Sequence, residues 1–238
     1  MAKRRSDQLR PIKITRNYTK HAGGSVLYES GDTKVLCTAS FIADQPGWRK
    51  GSELGWLTAE YSMLPSSTHS RKSRPRNGHT DSRGTEIQRL IGRALRNVID
   101  FEKLGPNTIY IDCDVIQADG GTRTAAINGG YVALVDAIDK ALKQKLISEN
   151  PIVGKVGAIS VGIVNGKNVL DLDYQLDSTA DVDMNVVMTE KCEFIELQGT
   201  GERTSFTHSQ LNAMLKMAEG GIKKIFKAQT LPSSKKRK

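Results

Sequence analysis

The sequence predicts an α/β (α+β) domain on three observations. Short runs of alternating apolar residues recur along the chain. Three long stretches carry apolar residues at helical spacing. The two kinds of segment interleave instead of separating into blocks. With 238 residues, 38% of them hydrophobic, the chain has apolar material for one sizeable core, and a single domain over residues 1–238 is expected.

Taken in order, residues 1–17 are basic and polar, as is the tail 231–238, so both ends are expected to be mobile or to reach toward nucleic acid. Ser25–Glu29 and Lys34–Ile42 read as strands joined at Gly31-Asp32, and Trp56–Leu64 as a further short strand. Pro65–Gly84 breaks this pattern: Arg71, Lys72, Arg74, Arg76 and Arg83, with almost no apolar company, make an exposed basic loop. From Glu86 onward, Ile87, Leu90, Ile91, Ala94, Leu95 and Val98 fill one face of a helix.

Thr108–Ile116 alternates through Ile109, Ile111, Cys113 and Val115, then runs through Ala118-Asp119-Gly120-Gly121-Thr122-Arg123-Thr124 into a second helix ending near Lys145. Val156–Val164 and Asn168–Tyr174 flank Asn165-Gly166, the favoured two-residue hairpin turn, and Asn185–Thr189 with Phe194–Gln198 form a second hairpin. Thr207-His208-Ser209-Gln210 fits a capping box for a last helix carrying Leu211, Met214, Leu215, Ala218, Ile222 and Ile225, with Gly220-Gly221 as a point of bending. The sheet is expected to be mixed.

Composition narrows the function classes. Lys and Arg number 35 against 26 Asp and Glu, and the resulting net charge of +9 favours polyanionic partners such as nucleic acid without choosing RNA over DNA. No apolar run has the length of a membrane span and no apolar leader follows Met1, so no membrane partner and a cytoplasmic location are expected. Cys37, Cys113 and Cys192 lie far apart without Cys-x-x-Cys spacing, which argues against a disulfide framework or zinc ribbon and for small buried apolar roles. The four histidines show no metal-type spacing and receive no catalytic role. Neither a dinucleotide-binding Gly-x-Gly-x-x-Gly nor a Walker loop is present.

Three features carry chemistry. The Gly120-Gly121-Thr122-Arg123-Thr124 turn lies between a strand and a helix, so its backbone N–H groups and the positive helix end point at an anion, to which Thr122 adds a hydroxyl and Arg123 a charge. Glycine turns before helices more often serve only as tight connections, and alone this one is ambiguous. Arg83, just ahead of the helix at Glu86, brings a guanidinium to the same anion if the two helix starts face each other; otherwise it is a solvated loop arginine. Finally, Asp171, Asp173, Asp177, Asp181 and Asp183 crowd one short segment, which suits either Mg²⁺ and a carboxyl with raised pKa or a plain acidic turn.

At this point whole blocks resemble a known family. Arg16-Asn17-Tyr18-Thr19, Gly31-Asp32-Thr33-Lys34-Val35-Leu36-Cys37, Glu86-Ile87-Gln88-Arg89-Leu90-Ile91, Ala118-Asp119-Gly120-Gly121-Thr122-Arg123-Thr124 and Asp183-Met184-Asn185-Val186-Val187-Met188 look like those of the bacterial ribonuclease PH family, and the likeness spans nearly the whole chain. The resemblance implies a fold like domain 2 of ribosomal protein S5 and a homohexamer arranged as a trimer of dimers. It implies phosphorolytic removal of nucleotides from the 3′ end of tRNA precursors, with inorganic phosphate as co-substrate and Mg²⁺, or Mn²⁺, as metal.

Carried over residue by residue, the phosphate site falls on Arg83, Gly121, Thr122 and Arg123. The acid and metal positions fall on Asp183 and Asp177, and the RNA-gripping arginines on Arg71, Arg74 and Arg76. Where the family reads Pro-Arg-Ser-Thr, this chain has Pro65-Ser66-Ser67-Thr68, one phosphate-contacting arginine fewer. A non-catalytic RNA-binding ring subunit is the alternative within the same resemblance, and such a subunit is expected to lack Arg123 or Asp183.

Overall fold

The computed structural model describes residues 4–74 and 81–230. Arg76 and the basic tail 231–238 lie outside the described residues. Two sheets share one central helix, which confirms the α/β expectation and refines the single mixed sheet into two.

The first sheet contains β1 (Ile12–Arg16), β2 (Gly24–Ser30), β3 (Thr33–Ile42), β4 (Trp56–Met63) and β5 (Thr108–Gln117) in the order β1-β2-β3-β5-β4. All its pairs are antiparallel except β4 with β5. The second sheet, β6 (Val156–Val164), β7 (Lys167–Leu170), β8 (Val182–Thr189) and β9 (Phe194–Gly201), runs β7-β6-β8-β9 and is antiparallel throughout. Among the described residues the α-helices are α1 (Ser82–Arg96), α2 (Phe101–Leu104), α3 (Thr122–Lys143), α4 (Tyr174–Thr179) and α5 (His208–Thr230).

Strand alternation explains the layering. On β6, Val156 and Ala158 join the core around α3, whereas Ile159, Val161 and Ile163 join the core under α5. On β8 the same period sends Val187 toward α3 and Met184, Val186 and Met188 toward α5. β6 is therefore buried on both faces, and its continuous apolar run follows from that. α3 is apolar nearly all round for the same reason, since β2 and β3 lie on one side of it and β6 on the other. Close approach needs small residues: a Cβ on Gly24 would sit 1.8 Å from the Ala133 carbonyl oxygen.

The sequence expectations hold for β2 through β5, α1, α3 and α5, and the Asn165-Gly166 turn forms with φ of 50° and 72°. Thr207 caps α5 as expected, its hydroxyl accepting from the Gln210 N–H while the Gln210 side chain accepts from the Thr207 N–H. Three expectations are corrected. Residues 4–17 are no loose basic arm, because Ile12 and Ile14 pack as β1 and Arg10 is buried. The strand expected through Tyr174 stops at Leu170, where Asp171 turns with a φ of 56° and Asp173 caps α4. Gly220-Gly221 lies within the continuous α5, where Gly221 packs against Leu170. Cys37 and Cys113 are buried, but Cys192 is exposed in the tight turn between β8 and β9. Among the described residues no helix is long and apolar enough to cross a membrane.

One buried polar group joins the layers. Asn128 of α3 donates to the Ala158 carbonyl at 2.8 Å and accepts from the Ala158 N–H at 2.9 Å, acting as a strand neighbour where β7 does not reach along β6. Asn128→Ala strands two buried backbone groups, so urea denaturation should show a loss of roughly 2–4 kcal/mol with the m-value unchanged. A loss under about 1 kcal/mol would mean that Ala158 finds other partners.

Candidate active site

The site starts from a turn that only glycines allow. Gly120 and Gly121 take φ of 70° and 63°, and a Cβ on Gly120 would lie 2.5 Å from the Leu172 carbonyl oxygen. Gly121 is the N-cap of α3 and carries no side chain that would bond to the first N–H groups of the helix. These groups and the positive helix end therefore face the cleft free of a side-chain cap.

The turn is held from behind by a buried cation. Arg10 donates from its guanidinium to the Asp119 and Gly120 carbonyls and to Asp171 Oδ1 at 2.6 Å, while its backbone N–H donates to Asp171 Oδ2 at 2.8 Å. Thr33 Oγ1 donates to the Gly120 carbonyl at 2.6 Å and accepts from the Asp119 N–H at 3.0 Å. Of the crowded aspartates, Asp171 is thus structural, and Asp173 is spent on capping α4 through the Leu176 N–H.

In front of the turn a cleft of about 690 Å³ opens, large enough for a nucleotide as well as an anion. Arg83, Gly121, Thr122, Arg123, Asp177 and Asp183 all line it. Thr122 is buried and its hydroxyl accepts from the Tyr61 phenol at 2.9 Å, which leaves the Thr122 proton free to turn toward a ligand. Arg123 donates to the Gln198 side-chain oxygen and to Glu86 Oε1 at 3.3 Å; Gln198 Nε2 also donates to Glu86, at 3.1 Å. That triangle sets the direction of Arg123. Arg83, one residue into α1, is exposed, and among the described residues no comparable network holds it.

The carboxylates stand opposite. Asp183 lies on β8 with the parity that points toward α3, and it pairs across β6 with Gly162. Burial, and after it the neighbouring Asp177 charge, push its carboxyl up to about 6, with Arg123 pulling the other way. Its Oδ1 is buried without a hydrogen-bond partner. Asp177 is also raised, chiefly by loss of hydration within the cleft, against the charges of Arg83 and Arg123.

Arg71 and Arg74, expected on an exposed basic loop, are exposed and are not among the residues lining the cleft. Sequence reasoning missed Arg10, Tyr61, Gln198, His69 and Tyr174. Gln198 was within reach, because alternation across β8 and β9 pairs it with Asn185, two residues beyond Asp183. Arg10 carried no local signal at all.

Fold and cleft together define a two-sheet α/β protein in which a glycine turn and two arginines share one cleft with a carboxylate pair. The chain belongs to the 3′ exoribonuclease family: the RNase PH model for domain 1 of that family matches residues 8–138 and the model for domain 2 matches residues 154–221. Among solved structures, rice (Oryza sativa) Rrp46 is similar at 21% identity with a TM-score of 0.75, covering 95% of this chain and 96% of that one. A chain of the Archaeoglobus fulgidus exosome with RNA bound to the active site is similar at 18% identity with a TM-score of 0.78, covering 94% and 90%. These likenesses establish the fold.

The raised Asp183 carboxyl gives a stability test. An unfolded aspartate titrates near its ordinary value, so between about pH 4 and 6 the folded chain binds the extra proton, and its stability falls as pH rises through that window. Asp183→Asn removes this cost. The variant should therefore match the unaltered chain near pH 4 and exceed it by roughly 1–3 kcal/mol at pH 7.5 in urea denaturation. Equal stability at both pH values would place Asp183 in an ordinary solvated setting.

Proposed function

We propose that the chain is a phosphorolytic 3′→5′ exoribonuclease of the bacterial ribonuclease PH type, acting on tRNA precursors in the cytoplasm. The observation that carries this reading is that Arg83, Gly121, Thr122 and Arg123 meet Asp177 and Asp183 across one cleft. Cations and backbone donors on one side suit orthophosphate; a half-buried carboxyl of raised pKa on the other suits a proton donor.

In this mechanism an oxygen of orthophosphate, held by the turn and the two arginines, attacks the phosphorus of the last phosphodiester. The bond from that phosphorus to the 3′ oxygen breaks, and its electron pair stays on the 3′ oxygen. Asp183 gives its proton to that oxygen, leaving RNA one residue shorter with a 3′ hydroxyl and a nucleoside 5′-diphosphate. Asp183 then regains a proton from solvent. The chain contributes mainly position and preset charge.

The donor set also fits a hard divalent cation. Asp183 offers a buried, unpartnered oxygen beside Asp177, and Mg²⁺ characteristically takes one or two carboxylates while keeping water and substrate phosphates. When bound between Asp177 and Asp183, Mg²⁺ or Mn²⁺ would offset charge on the transferred phosphoryl group.

RNA outside the cleft is assigned to Arg71, Arg74 and Arg76, which hold phosphates without reading bases. A homohexamer, a trimer of dimers, places several such arginines around each cleft. The alternative, a non-catalytic RNA-binding ring subunit, is disfavoured by the presence of both Arg123 and Asp183.

The test uses a tRNA with extra 3′ nucleotides, with and without inorganic phosphate. Nucleoside 5′-diphosphates should appear only with phosphate, and Asp183→Asn should abolish their release while tRNA binding stays near that of the unaltered chain. Monophosphates released at a rate indifferent to phosphate would contradict the proposal.

A further inference from the structure

Resting on that reading, we propose that His69 and Tyr174 form a stacking platform for the base of the 3′-terminal nucleotide. The two rings meet at the cleft wall with centroids 5.4 Å apart and planes inclined by 55°. Tyr174 is 50% exposed and its ring meets that of His69 at a tilt, so part of its aromatic surface is open in the cleft that both residues line.

Its placement matches the chemistry. Tyr174 and Asp177 stand three residues apart on α4, their backbones roughly 4.5 Å apart along the helix axis, and both line the cleft. That spacing is the scale of a single nucleotide. Lys72 and Arg203 line the same cleft and supply charge for flanking phosphates. Aromatic faces alternating with cations hold single strands without regard to sequence, because every base presents a π-face.

The platform is tested with a ten-nucleotide oligoribonucleotide carrying 2-aminopurine at its 3′ end. Binding should quench the probe in the unaltered chain and in Tyr174→Phe, but not in Tyr174→Ala. Tyr174→Ala should weaken binding about tenfold or more, with the phosphate requirement unchanged, and the same substitution should have no effect on an oligonucleotide whose terminal residue is abasic. Thermal unfolding checks that the variant remains folded. Undiminished quenching in Tyr174→Ala, an equal loss on the abasic strand, or no binding by the unaltered chain would overturn the platform. Phosphate-independent cleavage with Tyr174-dependent quenching would remove phosphorolysis and leave the platform standing.

Discussion

A single buried ion pair governs the geometry of this chain. Arg10 and Asp171, both nearly sequestered from water, join a residue before the first strand to a residue after the seventh, and the same guanidinium fixes two carbonyls of the glycine turn. Such pairs contribute little net stability, because desolvation offsets the attraction, but losing one partner leaves an uncompensated buried charge. Their value is in definition of place. Here the turn cannot drift without breaking bonds to Arg10 and Thr33, so its N–H groups are aimed before any ligand arrives.

The second constraint is the helix that both sheets share. α3 begins at the turn and is buried between β2, β3 and β6, so the glycine turn is anchored directly to the core. Across from it, β8 alternates so that Met184, Val186 and Met188 fill the core under α5 while Asp183 faces the cleft. The apolar packing on one side of β8 thereby dictates where the acid stands. Partial burial then raises its pKa, Asp177 adds to that rise, and Arg123 opposes it.

Legibility from sequence followed the range of the interactions. α1, α3, α5 and most strands rest on local periodicity, and Ile87, Leu90 and Ile91 or Ile109 and Ile111 announce their buried faces directly. Arg83, Arg123, Asp177 and Asp183 were chosen from motif and resemblance, and the cleft gathers them. Arg10 was invisible because its partner lies 161 residues away, and a buried arginine in a basic segment reads as a solvated one. α4 is too short to show a period, so Tyr174 was read as the end of a strand when it begins a helix. His69 lacked neighbours of its own kind in sequence, and its relation to Tyr174 exists only in the fold.

The account depends on a preset orthophosphate site, which calorimetric titration of inorganic phosphate into the chain measures directly. One saturable site per chain, lost in Arg123→Ala while the fold is retained, is the predicted result. Absence of saturable binding, or equal affinity in the Arg123→Ala variant, would contradict the assignment of the glycine turn and its arginines to phosphate.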